Sequence, residues 1–146
     1  MTSQPTAIRI LLLSFLVIMG VALLFAASPA GSSSPADVRG TWSGTFFSKH
    51  SNVAPFTMTV VINPDARGHL VGSFTLNSDC LKGAQFEVTV TGSKLVLAGS
   101  DEEGASITVR GTVDSTGTLV KASYILNGSA SGRCETDDGT VNLARQ

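Results

Sequence analysis

From Gly40 to the C-terminus the chain repeats one pattern: a short run with an apolar residue at every second position, then a cluster of Gly, Asp, Asn, Pro or Ser. Successive side chains of a strand point to opposite faces, so a period of two specifies strands with one buried face, and the clusters between them supply turns. Thr41–Phe46 forms a first strand, and Phe56, Met58, Val60 and Ile62 line one face of a second, with Thr57 and Thr59 on the other. Leu70, Gly72, Phe74 and Leu76 face inward on a third and Phe86, Val88 and Val90 on a fourth. Leu95 and Leu97 mark the fifth, and Ile107, Val109, Gly111 and Val113 the sixth. Val120, Ala122, Tyr124 and Leu126 mark the seventh, and Val141 and Leu143 the last. No stretch of this region carries the competing helical period.

The turns are short: Asn63–Gly68, Gly92-Ser93, Asp101–Gly104 and Asp114–Gly117. Sequential strands joined this way are antiparallel neighbours, and about eight of them close into an up-and-down barrel or a flattened barrel, with a two-sheet sandwich as the alternative. The predicted fold class is therefore all-β. The domain runs over residues 38–146, behind a flexible Gly/Ser/Pro linker at 31–37.

Residues 1–30 are of another kind. After Arg9, the run from Ile10 to Ala27 carries no charge and is rich in Leu, Val, Ile and Phe. Its length lies between a secretory core of about 7–15 residues and a spanning helix of about 20. Ser28-Pro29-Ala30 offers small residues for cleavage before Gly31. Cleaved signal peptide or retained membrane anchor, the segment places the β domain outside the cytoplasm: periplasm, cell envelope or extracellular space. The chain has two cysteines, Cys80 and Cys134, both in polar segments between predicted strands. In an oxidising compartment such a pair is most simply a disulfide. In a meander the loops after the third and seventh strands emerge at the same end, so bridging them requires one loop to fold across the mouth or the barrel to be flattened.

Several function classes fall away. Ten Lys and Arg against eleven Asp and Glu give a formal net charge of -1, leaving no excess of cations for nucleic acid. Membrane contact is expected only through the N-terminal segment. No serine lies in a G-x-S-x-G elbow, and the strand-to-helix turn that motif needs is missing from the pattern. His50 and His69 fall in polar surroundings with no carboxylate or nucleophile partner foreseen. Asp101-Glu102-Glu103 and Glu135 with Asp137 and Asp138 are acidic clusters ending in Gly104 and Gly139, which reads as solvated turns rather than calcium ligands. No catalytic residue, metal or cofactor is expected. On this register the inward face holds no charged residue, and its bulk favours a barrel filled by its own side chains over a hollow one. Gly44, Gly72, Gly111 and Ala122 are the inward positions that leave room.

Gly40-Thr41-Trp42 on the first strand resembles the G-x-W opening of lipocalins, avidins and related calycin barrels. Gly68–Phe74 is similar to the strand that follows the first hairpin in avidin-like proteins. The resemblance implies structural roles for Gly40 and for Arg145, which would pack over the Trp42 ring from the last strand. With one Trp in the chain, it does not extend to biotin, whose pockets are lined by several. The expected protein is a non-enzymatic exported barrel that binds a small apolar ligand or a protein partner, with Trp42, Phe46, Phe74 and Tyr124 as cavity candidates. The alternative is a structural or interaction domain of the envelope with a filled core.

Overall fold

The computed structural model describes residues 34–76 and 80–146. The apolar N-terminal segment and its cleavage motif lie outside these residues. Eight strands follow in order: β1 (Gly40–Ser48), β2 (Phe56–Pro64), β3 (Leu70–Leu76), β4 (Gln85–Thr91), β5 (Lys94–Ser100), β6 (Ser106–Val113), β7 (Leu119–Asn127) and β8 (Asp137–Arg145). Each pairs antiparallel with its neighbour, and β8 returns to β1, closing the barrel. The fold is the all-β closed form rather than the sandwich. Closure removes the exposed edges that an open sheet of this length would present.

The period-two pattern accounts for the core. Met58, Val60 and Ile62 alternate with exposed Thr57, Thr59 and Val61, and the other strands repeat this register around the barrel. Phe46, Val60, Leu97, Val109, Val120 and Val141 belong to one core cluster, essentially without solvent contact. The inward glycines are sites of close approach, not of free space. A Cβ at Gly111 would lie 2.7 Å from that of Ala122, and one at Gly44 would collide with the Asn142 carbonyl.

The two ends of the barrel are closed differently. At the end holding the chain terminus, Gly40 adopts a φ of 117°, which turns residues 36–39 back beneath the barrel. Val38 is buried there, and its carbonyl accepts the Trp42 indole N–H at 2.8 Å. At the other end the Cys80–Cys134 disulfide joins the β3–β4 and β7–β8 connections, with the two Cα atoms 5.0 Å apart. In the described part of the β3–β4 connection, residues 80–84, Leu81 is 1% exposed and belongs to the core. Leu81 takes a left-handed backbone (φ 57°), unfavourable for a branched side chain and held there by that burial. The β3–β4 ladder extends only from Val71–Glu87 to Ser73–Gln85, so the wall between these strands parts beside Leu81.

The β6–β7 turn is built around one carboxylate. Asp114 accepts the Thr116 hydroxyl and the backbone N–H groups of Thr118 and Leu119. The Thr116 hydroxyl foremost, then those amides, hold its pKa down at about 2, against an ordinary 3.8. A carboxyl depressed in the folded state stabilises the fold above its ordinary pKa and loses that contribution as the pH falls through its folded value. Thermal stability is therefore expected to drop as the pH falls from about 4 toward 2. The Asp114→Asn variant should show a shallower fall over that window when melting temperature is followed against pH. An equally steep fall would remove Asp114 from the account.

Candidate functional site

At the disulfide mouth the described residues leave space unfilled. A recess of about 180 Å³ opens there, walled by Phe56 of β2, Leu76 of β3, Ile107 of β6, Leu126 of β7 and the disulfide itself. Val53 and Leu81 contribute further apolar surface, and Arg133, Glu135, Thr136 and Asp137 supply the polar side. Alternation explains this make-up. Phe56, Leu76, Ile107 and Leu126 are the inward residues nearest the mouth on four strands, and the β7–β8 connection passes over them.

Asp137 is the unexpected member. It is 4% exposed and points inward, so the barrel interior does contain a charged residue, contrary to the sequence expectation. The reason is register: β8 begins at Asp137 instead of after Gly139, which puts Asp137 on the same face as Val141 and Leu143. The acidic segment is thus partly strand. The Tyr124 hydroxyl donates to one Asp137 carboxylate oxygen and the Ser48 hydroxyl to the other, each at 2.5 Å. Burial, followed by this hydrogen bond to an anion, pushes the Tyr124 phenol well above its ordinary range, so it remains a donor. Gly139 is a strand residue that makes the arrangement possible, since a Cβ there would sit 2.8 Å from the Tyr124 ring and collide with the Phe47 carbonyl.

No family model, curated protein or solved structure matches the chain. The site must be read from its own geometry.

The four aromatic candidates separate. Trp42, Phe46 and Tyr124 are packed side chains, at most 1% exposed. Phe46 stacks on Phe56 with ring centres 4.8 Å apart and meets Tyr124 edge-on at 4.9 Å. Of these rings Phe56, absent from the sequence-based candidates, is the one that lines the recess. Phe74 lies against Phe86 with ring centres 4.4 Å apart and borders a separate surface hollow at the β3–β4 parting, with Leu76, Cys80 and Leu81.

Arg145 stands 4.6 Å over the Trp42 ring, as the resemblance implied. Its guanidinium also donates to the carbonyls of Gly117, Arg39 and Asp37, tying the β6–β7 turn and the segment before β1 to the base of the barrel. The Arg39 side chain, in turn, holds the Asp37 carboxyl well below the usual range through paired hydrogen bonds.

Both histidines have a carboxylate neighbour, which the sequence reading did not foresee. His50 Nε2 lies 3.2 Å from Asp138, which Lys49 also approaches to 2.6 Å, and His69 Nδ1 lies 3.6 Å from Asp65. Strand pairing across β1 and β8 creates the first contact, and the β2–β3 turn the second. The Ser48 hydroxyl donates to Asp137 and accepts the His50 backbone N–H, and among the described residues no hydrogen bond joins it to an imidazole. The first acidic cluster is a turn: Asp101 accepts the N–H groups of Glu103 and Ala105, and Glu103 pairs with Arg133 at 2.7 Å on the rim of the recess. Among the described residues, no three His, Cys, Asp or Glu side chains come together as a metal site.

Proposed function

We propose that the protein is an exported, non-enzymatic barrel of calycin type that binds a small apolar molecule in the recess at its disulfide mouth. The observation that carries this reading is the contrast between a barrel packed through its middle and an apolar hollow at one end, walled by Phe56, Leu76, Ile107 and Leu126. Its volume of about 180 Å³ is below the range of drug-sized ligand sites, about 300–1,000 Å³, so the occupant is a small molecule or the end of an apolar chain. The Gly40–Trp42 opening and the Arg145 stack support the calycin assignment, and the disulfide suits an oxidising, exported setting.

Benzyl alcohol, titrated into the protein while the methyl resonances of Leu76, Ile107 and Leu126 are followed by NMR, tests the reading. Saturable shifts confined to these methyls are expected. Leu126→Trp, which fills the hollow, should weaken them by about tenfold or more. A non-saturable response, or one unaffected by Leu126→Trp, would instead favour an interaction domain whose recess is part of a filled core. The dense packing of Trp42, Phe46 and Tyr124 supports that second reading.

A further inference from the structure

The recess carries one feature that an apolar ligand alone would not use. Asp137 is a buried carboxylate that forms no ion pair among the described residues. Removing a carboxylate from water is costly, and buried charges are as a rule paired. Here both donors, the Tyr124 and Ser48 hydroxyls, are neutral, and they occupy one acceptor position on each oxygen, whereas a carboxylate offers about four. The neighbouring cations are engaged elsewhere. Lys49 and His50 lie against Asp138, whose side chain is on the outer face, and Arg133 is drawn to Glu103. Among the described residues no ion pair reaches Asp137, and exposed Glu135 adds a further negative charge at the rim.

We infer that the recess selects small apolar cations, with a protonated amine seated against Asp137 and its hydrocarbon body between Phe56, Leu76, Ile107 and Leu126. This rests on the reading of the recess as a binding site and names the class of ligand it takes. An ammonium group brings up to three N–H donors to the remaining carboxylate lone pairs, and it supplies the charge that two hydroxyls cannot. The attraction is strengthened because Asp137 is 4% exposed, so water screens the pair less than it would at the open surface. Neutral molecules of the same shape keep the apolar contacts and lose this term.

The test compares benzylamine with benzyl alcohol on the full chain at about pH 7 and low ionic strength, read by the same methyl resonances. Benzylamine is expected to bind about tenfold tighter or better. Asp137→Asn, which keeps an oxygen acceptor for Tyr124, should remove the preference and bring the amine down to the level of the alcohol measured on the same variant. Glu135→Gln, at the exposed rim, should preserve the preference. Equal affinity of the two probes for the unmodified protein, or a preference removed by Glu135→Gln and kept in Asp137→Asn, overturns the inference and leaves the recess standing. Binding of neither probe overturns the underlying reading. Should Asp137→Asn fail to fold, the two titrations of the unmodified protein together with Glu135→Gln still decide the matter.

Discussion

Removing the Cys80–Cys134 bridge is expected to lower the unfolding free energy by about 4 kcal/mol. The two cysteines are 54 residues apart, and closing a loop of that length removes about this much chain entropy from the unfolded state. Domains of this size are stable by about 5–15 kcal/mol, so the loss is a large part of the total. For the Cys80→Ala/Cys134→Ala double variant it translates into a melting temperature lower by about 15–25 °C. A local effect should accompany the global one. The bridge is the tie between the connection that carries Leu81 and the β7–β8 connection, and it walls the recess. Benzyl alcohol binding should therefore weaken even well below the variant's melting temperature. Paired melts with and without reductant, beside the double variant, check both parts. A loss under about 1 kcal/mol would mean that the unfolded chain is already compacted around this pair, which the chain-entropy argument ignores.

Trp42→Ala is the second change expected to be severe, costing about 3–5 kcal/mol by denaturant unfolding. Trp42 is among the largest fully buried side chains, and its indole N–H is satisfied by the Val38 carbonyl while Arg145 covers its face. Truncation leaves a cavity at the base of the barrel and strands the Val38 carbonyl without its donor. Trp42→Phe should cost less, since the ring is kept and only the indole donor and some volume are lost. Arg145→Lys will not behave as a conservative change. A lysine has no planar fork with which to stack on the ring and reach the Gly117, Arg39 and Asp37 carbonyls at once. A double-mutant cycle between Trp42 and Arg145 should return a coupling of about 0.5–2 kcal/mol. A coupling near zero would show that Arg145 acts through the carbonyls alone.

The residues that specify strands were legible in the sequence because the signal is local. Alternation at Phe56–Ile62 or Ile107–Val113 needs no knowledge of distant partners, and the Gly- and Asp-bearing turns end each run within a few residues. Short connections fix neighbouring strands as antiparallel, so eight strands in sequential order, and the parity that puts Cys80 and Cys134 at one end, also follow from the chain alone. The G-x-W resemblance went further and anticipated Arg145 over Trp42.

Tertiary structure decided what the barrel does with its interior. That Trp42, Phe46 and Tyr124 fill space while Phe56, Leu76, Ile107 and Leu126 border it depends on depth along the barrel axis, which period-two alternation does not encode. The inward turn of Asp137 was within reach, because it keeps the parity of Val141 and Leu143, yet its acidic neighbours read as solvated turn until Tyr124 and Ser48, on β7 and β1, supplied its hydrogen bonds. Leu81, a lone apolar residue in a polar loop, gave no periodic signal, and only the disulfide beside it and the open mouth below explain its burial. A sequence shows which face of a strand prefers to leave water. Whether a charge can follow depends on partners brought across the barrel, and that is set by closure.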